Sequence, residues 1–278
     1  MKANNFLGTK LCTADELSLY KTFECGQCFR WNSKDGEIYT GVSDGRVAKL
    51  CEKNGAVLIR SSDGDINYWR NYFDLQTDYS KSEDIMKKHE HLRKAAKFGK
   101  GIRILRQDKW EALCSFIISQ CNNIPRIKGI VERLSEAFGD KLFFEGEEHF
   151  SFPTAERLSL LKADDLAPIR AGYRAEYIIA AAKAVADGSL NLEETAKLPA
   201  KEAKEVLLSL TGVGSKVADC AMLYGLHKTE AFPIDVWMKR ALKEHFSEGF
   251  DPEALGEFAG LAQQYIFFLA RSTGNDKQ

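Results

Sequence analysis

Three two-residue turn signals, Asp35-Gly36, Asp44-Gly45 and Asn54-Gly55, recur at intervals of nine and ten residues near the start of the chain. The central positions of such turns need φ > 0, which Gly adopts freely and Asp or Asn tolerates, so each dipeptide marks a tight reversal between strands. The segments between and after them, EIYTGV, RVAKLCEK and AVLIRSS, alternate and are rich in β-branched residues. Together they predict an antiparallel meander over 30–62. No comparable run follows residue 100, where apolar residues take the helical period instead. Asp108 with Glu111 three residues later reads as a capping box, after which Trp110, Leu113, Cys114 and Ile117 share one face. Asp251-Pro252-Glu253 reads as the start of the last long helix. Further helices are expected over 126–138, 155–162, 173–186, 201–209, 215–226 and 235–246. The expectation is an α+β chain: an N-terminal antiparallel-sheet domain over 1–100, then an all-helical domain over 101–278 that contains a hairpin at 201–226. The tail STGNDKQ is expected to fray.

Composition narrows the function. An apolar content of 44% supports a full core, while the net charge of −1 means that any basic surface must be local. From Arg93 to Leu134 there are ten Lys or Arg against three Asp or Glu, enough for salt-sensitive phosphate binding or for a plain solvated face. No run approaches a membrane span and MKANNFLGTK is no signal peptide, so no membrane partner is expected. Seven irregularly spaced cysteines fit a reducing, cytosolic setting. Cys25-Gly26-Gln27-Cys28 would need a helix start for redox chemistry, and its flanks look extended; a zinc site would need a second ligand pair nearby.

The sharpest local signal is LLSL-TGVG-SKVADCAMLYG, a helix, a tight turn and a helix. Gly212 and Gly214 allow an unusual backbone and leave no side chain between it and a ligand, and Ser215 stands where free N–H groups favour an anion. The spacing is neither a Walker loop nor a dinucleotide fingerprint. It suits a hairpin that grips a DNA phosphate, or equally a C-capped helix pair with a solvated lysine. Lys216 and Cys220 lie four apart on one helix face. Cysteine is usually buried, so Lys216 is expected to point inward, where burial favours the free amine of a Schiff-base nucleophile. Asp235 in FPIDVWMKRAL reads as an N-cap that can also face a cleft.

These segments closely resemble the helix-hairpin-helix DNA glycosylase (HhH-GPD) superfamily, and specifically the 8-oxoguanine DNA glycosylases that are also abasic-site lyases. TGVGSKVADC followed by FPIDVWM carries the match, with FECGQCFRW, LRQDKWEALCSFIISQCNNIPRIKGIVERL, AGYRAEY and GLAQQYIFF in the family's order. The resemblance implies a TATA-binding-protein-like sheet domain before a helical one. It implies that Lys216 attacks the sugar, expels the base and forms a Schiff base, with Asp235 stabilising positive charge. The Gly26 carbonyl would accept the N7 hydrogen that only oxidised guanine carries, Gln263 would read the Watson–Crick edge, and Phe267 and Cys220 would lie on the two faces of the base. Tyr173 would wedge into the stack, Arg174 and Arg126 would meet the opposite base, and Asn122, Gly212 and Gly214 would contact DNA. Taken alone, Gly26 is a turn glycine, Phe267 a core ring, Gln263 a solvated helix residue, and Tyr173, Arg126 and Arg174 surface residues. The implied partner is double-stranded DNA containing oxidised guanine, met by a monomer in a bacterial nucleoid or a eukaryotic nucleus. No cofactor is required, although the family admits a monovalent cation at the hairpin backbone.

Two departures stand out. Cys121 replaces an asparagine that fills the space of the flipped base, and a thiol cannot make the same hydrogen bonds, which bears on preference for the opposite base. Trp237 stands where a phosphate-contacting histidine is common. The last cysteine is Cys220, which argues against the iron–sulfur branch. A glycosylase for another base and a non-catalytic DNA-binding module remain as alternatives.

Overall fold

The computed structural model describes residues 5–246 and 250–274. Strands β1 (Thr9–Thr13), β2 (Ile38–Ser43), β3 (Arg46–Lys53) and β4 (Ala56–Ser61) form one antiparallel sheet in the order β1-β4-β3-β2. Asp44-Gly45 and Asn54-Gly55 make its tight hairpins, with φ of 48° and 70° in the first and 51° and 73° in the second. The third dipeptide does something else. Only Gly36 has positive φ, and the Asp35 carboxylate accepts the N–H groups of Glu37 and Ile38, giving a wider turn that ends in a single Asn32–Thr40 bridge. Strand β1, outside the expected meander, pairs instead with β4 through an irregularity between Lys10 and Cys12.

Helix α1 (Leu19–Glu24) and helix α2 (Ile66–Tyr72), capped by Asp65, close over this sheet. Their core is aromatic. Trp31 stacks on Phe23 at 4.4 Å between centroids, meets Trp69 edge-on, and donates from Nε1 to the Tyr72 hydroxyl at 2.9 Å. Trp31 lies so close to β2 that a Cβ on Gly41 would fall 2.3 Å from its ring.

A larger apolar core is built by α3 (Ser82–Met86), α4 (Glu90–Gly99), α5 (Lys109–Ile118), α6 (Ile124–Phe138), α7 (Ala155–Ser159), α8 (Arg174–Ala186), α9 (Leu192–Lys197), α10 (Ala200–Leu208), α11 (Ser215–Tyr224), α12 (Val236–His245) and α13 (Ala259–Gly274). Cys25, Phe29, Met86, Leu92 and Ala95 belong to this second core although they precede residue 100. The helical part is not purely helical. Strands β5 (Lys141–Phe144) and β6 (Glu147–Phe150) form a hairpin whose Glu145-Gly146 turn has φ of 53° and 78°. Asp251-Pro252 opens a 3₁₀ segment rather than the last helix, because Gly256 (φ 54°, ψ −133°) breaks the path and α13 starts only at Ala259. The tail is helical through Gly274, and its last four residues lie outside the described ones.

Candidate active site and nucleic-acid interface

Helix α11 is the spine of the site. Lys216, Cys220 and Tyr224 recur every fourth residue and so share one face. Lys216 is half-buried. Its Nζ donates to Ser119 Oγ at 3.0 Å and lies 5.6 Å from the centre of the Phe116 ring. Ser119 ends α5, and its own hydroxyl donates to the Phe116 carbonyl at 2.7 Å, so toward Lys216 its oxygen acts as an acceptor. One turn along α11, Cys220 is buried, and burial, against the opposing effect of Lys216, pushes its thiol up to about 11. It is therefore a neutral, apolar contact surface at neutral pH. Asp235 caps α12 by accepting the Met238 N–H at 2.9 Å and is half-buried, and its charge is among those that raise the Cys220 thiol.

The facing wall comes from the two ends of the chain. Gly26 turns with φ 81° after α1, and a Cβ there would meet Ile124 Cδ1 at 3.1 Å and Phe267 Cε1 at 3.4 Å. Phe267 is half-buried rather than sunk in the core, while Gln263, one turn earlier on α13, is 4% exposed and lies 3.1 Å from the Tyr224 hydroxyl. The structure thus sets Gly26 beside Phe267 and, through the Tyr224–Gln263 contact, brings α13 beside the face of α11 that carries Cys220 and Lys216; the space between them is the candidate recess. Tyr224, Gln264 and Ser119 also belong to it and were not anticipated. Spacing from Lys216 could have indicated Tyr224; nothing in the local sequence distinguishes Ser119.

The hairpin corrects one expectation. Gly212 (φ 80°) needs glycine twice over, since a Cβ there would sit 2.2 Å from the Tyr177 ring. Gly214 has φ −91°, which any residue adopts, and open space where a Cβ would be. Its absent side chain matters for access, because it is the exposed N-cap of α11, whose first-turn N–H groups have no acceptor within the helix.

Beside the recess, Tyr173 is 50% exposed at the start of α8, and its hydroxyl interacts with the Cys121 thiol. Cys121 is exposed and held at φ 46°. Arg174 is placed otherwise than expected. It is 3% exposed, and four of the five guanidinium N–H groups are committed: Nε and Nη2 to Gln120, Nη2 also to Cys121 at 3.2 Å, and Nη1 to Ala171 at 3.1 Å. It clamps the loop after Ser119. Asn122 is likewise engaged locally, donating to the Ile118 carbonyl and accepting the Asn123 N–H. Arg126 is exposed and, with Arg170 and Tyr173, lines a groove of about 580 Å³. The basic run is less of a surface than its sequence suggested: Arg106 pairs with Asp74, Lys109 with Glu193 and Lys128 with Glu24, while Arg103 is buried. Trp237 packs toward Gly274 and Arg240.

Cys25 and Cys28 are both buried and belong to different cores, and burial raises both thiols, Cys25 to about 12, so they form no redox pair. Among the described residues no group of three His, Cys, Asp or Glu could hold a metal, and no helix is long and apolar enough to cross a membrane. A cavity of about 640 Å³ between Lys97, Asp78 and Tyr265 lies apart from the site residues.

Known proteins place this geometry. Residues 10–113 match the 8-oxoguanine DNA glycosylase N-terminal domain, and residues 114–255 match the HhH-GPD superfamily of base excision DNA repair proteins. The chain belongs to the HhH-GPD superfamily. Among solved HhH-GPD structures, that of MBOgg1 in complex with a low-affinity DNA ligand is 39% identical, with 94% of each chain covered and a TM-score of 0.87. The Clostridium acetobutylicum 8-oxoguanine glycosylase/lyase, bound to double-stranded DNA containing cytosine opposite 8-oxoguanine, is 36% identical with a TM-score of 0.87 over 94% of this chain and 93% of that one. The Arabidopsis thaliana N-glycosylase/DNA lyase OGG1 is 31% identical over 92% of this chain and 78% of its own. As in these HhH-GPD relatives, an antiparallel sheet precedes a helical domain.

Proposed function

We propose that this chain is a bifunctional DNA glycosylase and abasic-site lyase that extrudes 8-oxoguanine from duplex DNA and excises it through Lys216. The observation that carries the reading is Lys216, half-buried with its Nζ on Ser119, on the α11 face that also carries Cys220 and two residues after the exposed N-cap Gly214 of the hairpin. Lys216 Nζ attacks C1′ of the extruded nucleotide as the glycosidic bond breaks and the base departs. Ring opening gives a Schiff base, and loss of a C2′ proton with departure of the 3′ phosphate cuts the strand. Asp235 stabilises positive charge on the sugar. The Gly26 carbonyl accepts the N7 hydrogen, which guanine lacks, and Phe267 and Cys220 flank the base. Tyr173, with Cys121, occupies the stack that the nucleotide leaves, at a flipping cost of a few kcal/mol. Arg126 faces the opposite strand, and the α11 N-terminus behind Gly214 takes a phosphate. One copy supplies every group named, so the protein works as a monomer wherever the cell keeps its DNA. The cation at the hairpin carbonyls is proposed on the resemblance alone.

Borohydride reduction should trap the protein covalently on duplex DNA carrying 8-oxoguanine, and Lys216→Gln should abolish trapping. Trapping that survives the change moves the nucleophile elsewhere, and DNA binding with no trapping by the wild type favours a non-catalytic module.

A further inference from the structure

Behind the recess, three buried polar side chains form a hydrogen-bonded chain whose direction is fixed from one end. Gln264 donates from Nε2 to the Cys25 carbonyl at 2.8 Å, one residue before Gly26. A carbonyl only accepts, so this bond sets the Gln264 amide and turns its Oε1 toward the Tyr224 hydroxyl, with which it makes a short contact. The phenol has one proton. Given to Gln264, that proton is not available to Gln263, whose Oε1 is also set 3.1 Å from the phenol oxygen; two amide oxygens then face one proton, a conflict relieved when the Gln263 amide is turned end for end and donates from Nε2 instead. Burial keeps the phenol protonated, and Gln263, Gln264 and Tyr224 are all at most 4% exposed, so solvent does not relax the constraint. The phenol oxygen still has lone pairs, and the two ends of an amide have nearly the same shape. The hydrogen-bond chain therefore decides which end Gln263 presents.

We propose that Tyr224 and Gln264 are specificity-determining residues, which hold the Gln263 amide with its nitrogen on the phenol oxygen and its Oε1 toward the recess. The inference rests on the glycosylase reading above. An oxygen facing the recess accepts from donors and repels acceptors. The Watson–Crick edge of an oxidised guanine offers N1–H and the 2-amino group, both donors. Oxidised adenine has a bare N1 there. Both oxidised purines carry the N7 hydrogen that the Gly26 carbonyl would take. Gly26 thus reports oxidation, and Gln263 reports which purine was oxidised, provided that its amide cannot turn over. A rotating amide would satisfy either edge.

The test is single-turnover excision of 8-oxoguanine and 8-oxoadenine from one duplex sequence by wild type, Tyr224→Phe and Gln264→Met. The 8-oxoguanine preference should fall about tenfold in both variants, the scale of one misdirected buried hydrogen bond, chiefly through faster 8-oxoadenine release. Borohydride trapping on abasic DNA, which needs the Lys216 amine and no base, shows that a variant is folded and competent. A variant that traps there and keeps the wild-type ratio overturns the proposal. In the wild type, nuclear Overhauser contacts from the Gln263 amide protons to the Tyr224 ring are expected, and their absence overturns it without any variant. A wild type that shows those contacts but excises neither base defeats the glycosylase reading instead.

Discussion

At the scale of single residues, Ser119 shows how little chemistry a side chain needs to matter. Its proton is spent on the Phe116 carbonyl, so its oxygen holds one N–H of Lys216 and, in the proposed mechanism, leaves the remaining directions around Nζ for the sugar. Ser119→Ala should slow single-turnover excision and borohydride trapping about three- to tenfold, the worth of one hydrogen bond, and Ser119→Thr should restore most of the rate. Alanine trapping at the wild-type rate would remove Ser119 from the mechanism. Lys216 and Cys220 drew attention in the sequence through their four-residue spacing after the glycine turn, and Asp235 as an N-cap, with their proposed roles supplied by the resemblance. Ser119 did not, and Tyr224 offered only its four-residue spacing from Cys220. A serine ending an apolar helix and a tyrosine ending another are ordinary by type, and each acquires a role only through a partner 97 or 39 residues away.

Among the elements, legibility followed the strength of local backbone preference. Asp44-Gly45 and Asn54-Gly55 each put two residues at positive φ and made the hairpins that their types favour. Asp35-Gly36 did not, because the Asp35 carboxylate competed for the backbone N–H groups on which a tight pair would depend. The β5–β6 hairpin was missed because KLFF and EEHF lack the alternating β-branched pattern. Gly41 carries no visible turn role, and its reason is tertiary: the Trp31 ring occupies the place of its side chain. Gly41→Ala must push Trp31 out of its stack on Phe23, and it should cost about 1–3 kcal/mol of stability, read as a lower midpoint in thermal or urea unfolding. A midpoint equal to wild type would mean that the aromatic core gives way freely at this point.

Across the whole molecule, the sheet unit and the helical unit are joined by buried charge. Asp74, after α2, accepts from Arg106 at 2.8 Å and lies 3.6 Å from His227, just past the end of α11, while Arg103 donates to the Asp74 and Thr77 carbonyls. Burial alone would raise the Asp74 carboxyl; His227, Arg106 and Thr77 outweigh it and hold the group at about 2, below its ordinary 3.8. A carboxyl depressed on folding contributes stability that is complete above its unfolded value and is lost as pH falls through the folded one. Urea unfolding should therefore weaken by about 2 kcal/mol between pH 5 and pH 2 from this group, and Asp74→Asn should flatten that part of the slope. An unchanged slope would place the acid sensitivity elsewhere. The base recess is a second long-range assembly, since Cys25 and Gln264 meet across 239 positions of sequence. During synthesis the amine at position 216 leaves the ribosome before helix α13 does. On the proposed reading, a nascent or C-terminally clipped chain can thus hold its amine and the Gly26 carbonyl while lacking Gln263, the group that tells one oxidised purine from another.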